Sequence, residues 1–359
     1  MRTIKNLFQK ITNRMRRVLQ FVGIGCPVRQ IVFFENKTGS SKKLLIVASG
    51  NVTIPPSGWG AVETVISETI PVYLSAGFEV TVLNSKAIQD LLKVKRIGPD
   101  IILVHDDFST KKVRNLFRGT PIVSVTHYGL AAFEDLWHRS YKATLNKIDS
   151  ANYVICLNSR IREQLSKYIH SHKLLISSNG SSFQTAFRDD STEELICVGK
   201  VEPRKRQFEL FRELSNSGIR CRFIGEIFDD RVRLLLQESP EARNSFLGPW
   251  TRGQLAQQLP NFKALILISK GEADALVLYE AQLAGLPILV TPNSIGSQDE
   301  GLDWIRVIPE HPTAETIMRE LSEVKSSRHE IRNWAIKNYR WPTRNLPLTE
   351  LLLRECAMK

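Results

Sequence analysis

Short, continuous apolar runs recur along the chain and alternate with stretches that have helical periodicity. In the first half of the chain these runs are residues 44–49, 79–83, 100–105, 121–127, 153–157 and 173–178. In the second half they are residues 195–199, 221–225, 264–268 and 287–290. Strands without polar alternation belong to parallel sheets that helices cover on both faces. The pattern therefore predicts an α/β fold with two doubly wound, Rossmann-like domains, whose ligands bind at the carboxyl ends of the strands.

A polar stretch between residues 179 and 192 separates the two series of strands, so we place a domain boundary there. We predict a basic amphipathic segment and linker in residues 1–43 and a first Rossmann-like domain in residues 44–185. A second such domain follows in residues 186–330, and helices follow in residues 331–359. At 359 residues the chain is long enough for two domains of ordinary size.

The net charge of +12 is concentrated near the start of the chain. Residues 1–43 hold five lysines, five arginines and one glutamate, which gives +9, so the rest of the chain carries only +3. Enzymes that act on nucleic acid more often spread basic residues over the binding face, so we expect no nucleic-acid partner. Five scattered cysteines without a Cys-x-x-Cys pair favour a reducing cytoplasm and argue against a structural zinc.

Residues 2–22 combine apolar residues at helical spacing with basic residues between them. The apolar positions are Ile4, Leu7, Phe8, Ile11, Met15, Val18, Leu19 and Val22, and the basic ones are Arg2, Lys5, Lys10, Arg14, Arg16 and Arg17. Such a helix can lie in an anionic membrane interface, or it can pack its apolar face on the body of the protein; both alternatives are open. The sequence lacks a continuous apolar run long enough for a membrane span, so none is expected.

Glu272 and Glu280, with seven residues between them, lie where an apolar strand passes into a predicted helix. The start of a helix offers free backbone N–H groups and positive partial charge, both of which suit a phosphate. A carboxylate farther along the helix can accept two hydrogen bonds from a vicinal diol such as a ribose. The stretch 270–290 is thus suited to a ligand that carries a phosphate and a diol.

Several motifs, in the same order, resemble those of glycosyltransferase family 4, the retaining sugar-nucleotide transferases of the GT-B fold. They are the loop 54–63 (IPPSGWGAVE), the Asn-Gly turn 178–180, the stretch 198–205 (VGKVEPRK), the strand end 246–248 (FLG) and the glutamate pair 272–280. The resemblance covers roughly residues 44–345. It implies two domains that face a cleft, C-terminal helices that pack back on the first domain, and a bend at Trp341 and Pro342.

Transferred residue by residue, the resemblance implies a donor site that is built from both domains. Its donor-binding residues are Gly60, Ala61, Lys200, Lys205, Gly248, Ala275, Leu276, Val277 and Glu280, and its catalytic residues are His127 and Glu272. The lysines and the helix start would hold the diphosphate, and Glu280 would bind the ribose. A GT-B enzyme needs no metal ion, and no cofactor is expected. In the mechanism proposed for the family, the donor phosphate deprotonates the acceptor.

We therefore interpret the sequence as a retaining glycosyltransferase that moves a sugar from a nucleotide-sugar donor to an acceptor hydroxyl, in cell-surface polysaccharide or glycolipid synthesis. UDP, GDP and ADP remain alternatives for the nucleotide. The other expected partners are a glycan or lipid-linked acceptor and, through residues 2–22, an anionic membrane surface. The expected location is the cytoplasm, with peripheral binding to the inner face of a membrane as an option. Two alternatives are a sugar-nucleotide epimerase of the same fold and a non-catalytic membrane-associated protein on a transferase scaffold.

Four residues depart from the family pattern. Lys200 stands where arginine is commoner, and Ala61 replaces the second glycine of the first loop. Asp274 replaces an aromatic or small residue, and Ala275 replaces a glycine or proline. We expect Asp274 to be the N-cap of the following helix, although a carboxylate beside a diphosphate is electrostatically unfavourable.

Three further carboxylates have a structural and a functional interpretation. Asp106 and Asp107 follow His105 at a strand end, where adjacent carboxylates more often cap the next helix than bind a metal ion. We therefore expect them to cap that helix. Glu63 either lies near the acceptor cleft or caps the first helix.

Overall fold

The computed structural model of the protein describes residues 28–36, 42–58, 60–136 and 139–358. The predicted amphipathic helix in residues 2–22 and most of the predicted linker, residues 37–41, lie outside the described residues. Within the described part of the chain, none of the helices has the length and apolar character needed to cross a membrane.

The first domain is a seven-stranded sheet with helices on its faces. Its strands are β1 (Arg29–Phe34), β2 (Lys42–Ala48), β3 (Phe78–Ser85), β4 (Ile101–Val104), β5 (Ile122–Thr126), β6 (Tyr153–Cys156) and β7 (Leu174–Ile176). Its helices are α1 (Ala61–Ser75), α2 (Ile88–Lys95), α3 (Thr110–Leu116), α4 (Arg139–Ile148) and α5 (Ser159–Ser166). The strand order is β1-β3-β2-β4-β5-β6-β7, and every pair is parallel except β1 with β3.

The second domain is a six-stranded sheet in which every neighbouring pair is parallel. Its strands are β8 (Leu195–Val198), β9 (Cys221–Ile224), β10 (Phe246–Gly248), β11 (Ala264–Leu267), β12 (Ile288–Val290) and β13 (Ile305–Val307). The helices from here to the end of the chain are α6 (Gln207–Leu214), α7 (Asp230–Glu238), α8 (Pro240–Ser245), α9 (Arg252–Gln258), α10 (Leu276–Leu283), α11 (Ala314–Ser322), α12 (Arg328–Asn338), α13 (Trp341–Arg344) and α14 (Leu346–Ala357). The strand order is β10-β9-β8-β11-β12-β13.

The predicted fold class is confirmed. The central strands β4 and β11 are buried along their whole length, because helices cover both faces of each sheet. This double burial is the physical reason why their sequences lack polar alternation.

Strand β1 corrects the predicted domain organisation, which left residues 1–43 outside the folded domains. Residues 29–34 pair antiparallel with β3 at the edge of the first sheet. Arg29 anchors the strand by two hydrogen bonds of 2.8 Å to the carboxylate of Asp90, and they hold the pKa of that carboxyl well below its ordinary value. Arg29 was counted with the basic segment. Its apolar run, residues 31–34, is short and only partly buried, because β1 lies at the edge of the sheet.

The last part of the chain returns to the first domain, as the resemblance implies. The return begins later than predicted, because Ile331 and Ala335 of α12 are buried in the core of the second domain. The crossing follows at α13, where Trp341 is buried beside Val65 and Leu276. Beyond it, α14 completes the core of the first domain with Leu348, Leu351 and Leu352.

Replacing Leu352 by alanine should destabilise the protein, because this side chain is fully buried in the core of the first domain. We expect the free energy of unfolding, measured with urea, to fall by about 2–5 kcal/mol. Leu346→Ala is the matched control in the same helix, since Leu346 is 52% exposed, and its effect should stay within about 0.5 kcal/mol. Equal effects of the two substitutions would contradict this packing of α14.

Candidate active site

A cavity of about 270 Å³ lies between the two domains, at the carboxyl ends of both sheets. Ten of the eleven residues predicted for the site line it, namely Gly60, Ala61, His127, Lys200, Lys205, Glu272, Ala275, Leu276, Val277 and Glu280. The eleventh, Gly248, ends β10, and the cavity is lined by the next two residues, Pro249 and Trp250, instead. The fold therefore brings the predicted residues of both domains around one space.

Glu272 lies in the loop after β11 and is surrounded by cations. Its Oε1 accepts hydrogen bonds from Ser269 Oγ at 2.6 Å and Arg204 Nη1 at 3.3 Å, and Lys205 Nζ lies 3.1 Å away. Burial raises the pKa of Glu272, but Lys205 and Arg204 together outweigh it and bring the pKa below its ordinary value. Glu272 is therefore ionised at neutral pH. Arg204 was not predicted, although it lies inside the motif that contains Lys205.

Glu280 lies in the second turn of α10, in a different environment. Its Oε1 accepts a hydrogen bond of 2.6 Å from Arg252 Nη1. Burial raises the pKa of Glu280, and Arg252 offsets only part of that effect. Arg252 also pairs with Glu68 of α1. Sequence reasoning missed Arg252 and Glu68, because no local spacing links residues that lie 28 and 184 positions apart.

The start of α10 faces the cavity with its backbone. Ala275 is the N-cap residue and has extended dihedral angles, and no side chain caps the helix. Leu276 and Val277 line the cavity at the first turn. The N–H groups of this turn can therefore bind an anion in the cavity, with the helix dipole in support.

Asp274 was expected to cap this helix, and that expectation is wrong. Its Oδ2 accepts hydrogen bonds from the backbone N–H of Asn179 at 2.8 Å and from the hydroxyl of Tyr279 at 2.6 Å. Its Oδ1 accepts one from Ser297 Oγ at 3.0 Å. Burial raises the pKa of Asp274, against these hydrogen bonds and the charge of Arg344. The carboxylate thus connects the two domains and leaves the cap position to Ala275.

Two glycines let the loops after β8 and β9 approach each other at the wall of the cavity. A Cβ atom on Gly225 would lie 1.9 Å from the carbonyl oxygen of Gly199, and one on Gly199 would lie 2.9 Å from Lys205 Nζ. Lys200 Nζ lies 5.3 Å from the centroid of the Phe228 ring, and burial lowers the pKa of Lys200. The close approach of the two loops brings both lysines to the cavity wall.

On the side of the first domain, His127 ends β5 and pairs with His105 at the end of β4. The Nε2 atom of His127 lies 2.8 Å from Nδ1 of His105, and the two rings are stacked. Burial lowers the pKa of His127 to about 4 and lowers that of His105 well below its ordinary value. Both rings are therefore neutral at pH 7, and His105 orients the ring of His127.

The carboxylates after His105 have separate environments. Asp106 stabilises the turn before α3, because it accepts hydrogen bonds from Ser109 Oγ at 2.5 Å and from the N–H of Phe108 at 3.3 Å. The N-cap residue of α3 is Ser109, so the expected cap by the carboxylates themselves is wrong. Asp107 is fully buried, and burial raises its pKa well above the ordinary value. Across the described residues, no group of three or more His, Cys, Asp and Glu side chains could hold a metal ion.

Glu63 and Gly60 lie at the start of α1, where the helix faces the second domain. Gly60 is the N-cap residue, with a φ of +146° that favours glycine, and a Cβ there would lie 2.9 Å from Cβ of Pro56. The buried Glu63 accepts a hydrogen bond of 3.3 Å from Ser49 Oγ and one from its own backbone N–H in the first turn of the helix. Burial raises the pKa of Glu63, while the charge of Lys200 across the cleft lowers it. Both interpretations therefore hold in part, because Glu63 bonds within the first turn of the helix and lies close enough to the cleft to interact with the charge of Lys200.

Replacing Gly225 by alanine should disrupt the wall of the cavity, since a methyl group cannot lie 1.9 Å from a backbone oxygen. We expect a loss of about 1–3 kcal/mol in the free energy of unfolding, measured with urea. Gly119→Ala is the control, because a Cβ atom there meets no other atom within 4 Å. An unchanged stability of the Gly225→Ala variant would contradict the described approach of the two loops.

Comparison of the sequence with protein-family models and with curated proteins finds no match. Comparison of the structure finds solved glycosyltransferases. AviGT4, a glycosyltransferase involved in avilamycin A biosynthesis, is 16% identical, with a TM-score of 0.65 over 89% of this chain and 99% of that chain. The lipopolysaccharide outer core galactosyltransferase WaaB is 19% identical, with a TM-score of 0.61 over 86% of this chain and 99% of that chain.

HepE of Anabaena, solved in complex with UDP and glucose, is 15% identical, with a TM-score of 0.67 over 87% of this chain and 100% of that chain. Similarity at this level of identity establishes the architecture. The chain has the GT-B fold, with two Rossmann-like domains that face a common cleft.

Proposed function

We propose that this protein is a retaining, metal-independent glycosyltransferase that resembles family 4 and transfers a sugar from a nucleotide-sugar donor to an acceptor hydroxyl. The observation that carries the proposal is the shared cavity. Nine residues that were selected from sequence motifs in two domains line it together with His127. A structure of the same fold, HepE, was solved in complex with UDP-glucose, which supports a nucleotide-sugar ligand.

The donor diphosphate would lie between Lys200, Lys205 and the first turn of α10. The two lysines and the uncapped N–H groups supply positive charge on two sides of the same space. This charge would also stabilise the diphosphate as it leaves the sugar, so the proposed reaction needs no metal ion. Farther along α10, Glu280 would accept hydrogen bonds from the ribose hydroxyls. The base would lie near Pro249 and Trp250.

The transferred sugar would then lie between Glu272 and His127. Glu272 is kept ionised by Arg204 and Lys205, so it can bind sugar hydroxyls and stabilise positive charge on the ring as the donor bond breaks. His127, neutral at pH 7 and oriented by His105, would hold the sugar from the first domain. The bond between the sugar and the diphosphate would break, and the acceptor oxygen would bond to the sugar on the same face, which retains the configuration. The departing phosphate would take the proton of the acceptor hydroxyl.

The acceptor would enter along the first domain, and we propose that it is a glycan or a lipid-linked glycan of the cell surface. WaaB, of the same fold, is a lipopolysaccharide outer core galactosyltransferase, which supports this class of acceptor. A cytoplasmic location at the inner face of a membrane would match such an acceptor, with residues 2–22 as the part that binds anionic lipid.

The donor site predicts that substitutions at the two glutamates have different effects. Glu280→Ala should weaken nucleoside diphosphate binding, measured by calorimetry with UDP, GDP and ADP, by about 10–100-fold, because a buried acceptor for the ribose is lost. Glu272→Gln and His127→Ala should instead lower the turnover of the donor sugar by about 100-fold or more, with a smaller effect on nucleotide affinity.

Donor turnover is measured by a hydrolysis screen of UDP-, GDP- and ADP-sugars, with and without glycan acceptors. Glu193→Ala, at an exposed carboxylate on the surface, is the control and should change neither quantity. Unchanged turnover in all three site variants would show that the site is wrong. Isomerised sugar nucleotide as the product would favour an epimerase, and an absence of both binding and turnover would favour a non-catalytic protein.

Deletion of residues 1–27 should abolish co-sedimentation with liposomes that contain anionic lipid and leave nucleotide binding intact. The deletion stops before residue 29, because β1 belongs to the first sheet. Vesicles of neutral lipid alone are the control, and they should not bind the full chain at physiological salt, since the proposed attraction is electrostatic. Unchanged co-sedimentation of the shortened chain would contradict a membrane role of this segment.

A further inference from the structure

Arg252, the first residue of α9, joins carboxylates of both domains at the edge of the cavity. Its Nη1 donates the 2.6 Å hydrogen bond to Glu280 of the second domain, and its Nη2 donates to Oε1 of Glu68 in the first. The guanidinium group also lies 5.2 Å from the centroid of the Phe183 ring. A planar fork of donors, held over an aromatic face, fixes two carboxylates relative to each other better than a lysine could.

Glu68 is itself fixed at the crossing between the domains. Its Oε2 accepts hydrogen bonds from Trp341 Nε1 at 2.6 Å and from the backbone N–H of Ser182 at 2.7 Å. Both partners lie where the chain passes from one domain to the other. Glu68 does not line the cavity, but it belongs to α1, whose N-cap residue Gly60 and first residue Ala61 do so. The position of Glu68 therefore depends on how the two domains meet.

Glu280 keeps one oxygen for a ligand. Arg252 bonds to Oε1, whereas no described residue donates a hydrogen bond to Oε2. A carboxylate oxygen can also accept more than one hydrogen bond, so Oε1 is not saturated by its contact with Arg252. The ion pair thus leaves acceptors for a diol and limits the rotation of the carboxylate.

We propose that Arg252 is a positioning residue that holds Glu280 for the ribose of the donor and couples nucleotide binding to the contact between the domains through Glu68. This inference rests on the proposed function of the cavity. Coupling of this kind is reciprocal, so a bound nucleotide that stabilises the Glu280–Arg252 pair also stabilises the bridge to the first domain. The bridge would bring the sugar site of the first domain into place when the donor is bound.

The test is a double-mutant cycle on nucleotide affinity, with Glu68→Gln, Arg252→Ala and the double variant. Each is measured by calorimetry with whichever of UDP, GDP and ADP binds the unaltered protein. Glu68→Gln should weaken binding about 3–10-fold although Glu68 is outside the cavity, and Arg252→Ala should weaken it about 10-fold or more. The double variant should bind like Arg252→Ala alone, because the effect of Glu68 passes through Arg252.

Arg231 provides a matched control. It too lies over a phenylalanine, Phe208, and pairs with two carboxylates, Asp229 and Glu209, but it does not line the cavity. Arg231→Ala should leave nucleotide affinity unchanged. Thermal unfolding of each variant without ligand separates a loss of affinity from a loss of stability.

A pH profile distinguishes positioning of Glu280 from a structural role. The charged groups that face Glu280 are Arg252 and Glu68, and removal of Arg252 leaves only burial and Glu68, both of which raise the pKa of Glu280. The carboxylate is then protonated at a higher pH. As the pH is lowered, the affinity of Arg252→Ala for a nucleotide sugar should therefore begin to fall at a higher pH than that of the unaltered protein. The Arg231→Ala profile should not shift.

Four outcomes would overturn the inference. Additive effects of Glu68→Gln and Arg252→Ala would show that no coupling passes through Arg252. Tighter binding by Arg252→Ala would show that the arginine competes with the ribose instead of positioning its partner. Normal binding by both variants, with binding lost in Glu280→Ala, would overturn this inference and leave the proposed function standing. An unaltered protein that binds no nucleotide would overturn both this inference and the proposed function.

Discussion

A buried carboxylate at the junction of the two domains, Asp274, determines where the helix that faces the cavity begins. Burial of a carboxylate is unfavourable unless hydrogen-bond donors surround it. Here they come from Asn179 of the segment that leaves the first domain, from Tyr279 within α10 and from the loop at Ser297. Because Asp274 directly precedes the N-cap residue, these bonds also fix the first turn of α10 and direct its N–H groups at the cavity. The domain junction and the start of α10 at the cavity therefore depend on the same hydrogen bonds.

The two glutamates at either end of this segment have opposite electrostatic environments. Glu272 lies among cations that lower its pKa, and Glu280 lies in a buried position that raises its pKa. The ionised form is thus stabilised at Glu272, where a sugar ring would develop positive charge, and is less stabilised at Glu280, where neutral hydroxyls would bind. The spacing of the two glutamates could not predict this difference, since the difference depends on Arg204 and Arg252, which lie in other parts of the chain.

The fold and most of the cavity could be predicted from sequence, because continuous apolar strands and loops at strand ends are local features. Nine cavity residues followed from motifs that keep their order along the chain, and His127 followed from its place at a strand end. Arg252 and Glu68 were missed because they act over a long separation, 184 positions. The expected role of Asp274 was wrong for the same reason, since its partner Asn179 lies 95 positions away. β1 was missed for another reason. It is an edge strand, and it lies in a segment that was interpreted from its many lysines and arginines.

The return of α14 makes the first domain discontinuous in the chain, with the second domain inserted between its two parts. The entering and leaving segments run side by side, since the N–H of Ser181 donates a hydrogen bond of 2.9 Å to the carbonyl oxygen of Tyr339. The two ends of the inserted second domain therefore lie next to each other. A chimera that exchanges the second domain between two proteins of this fold should cut at both of these segments and keep α14 with its own sheet. A single cut near the middle of the chain would separate Leu352 from the core that it completes.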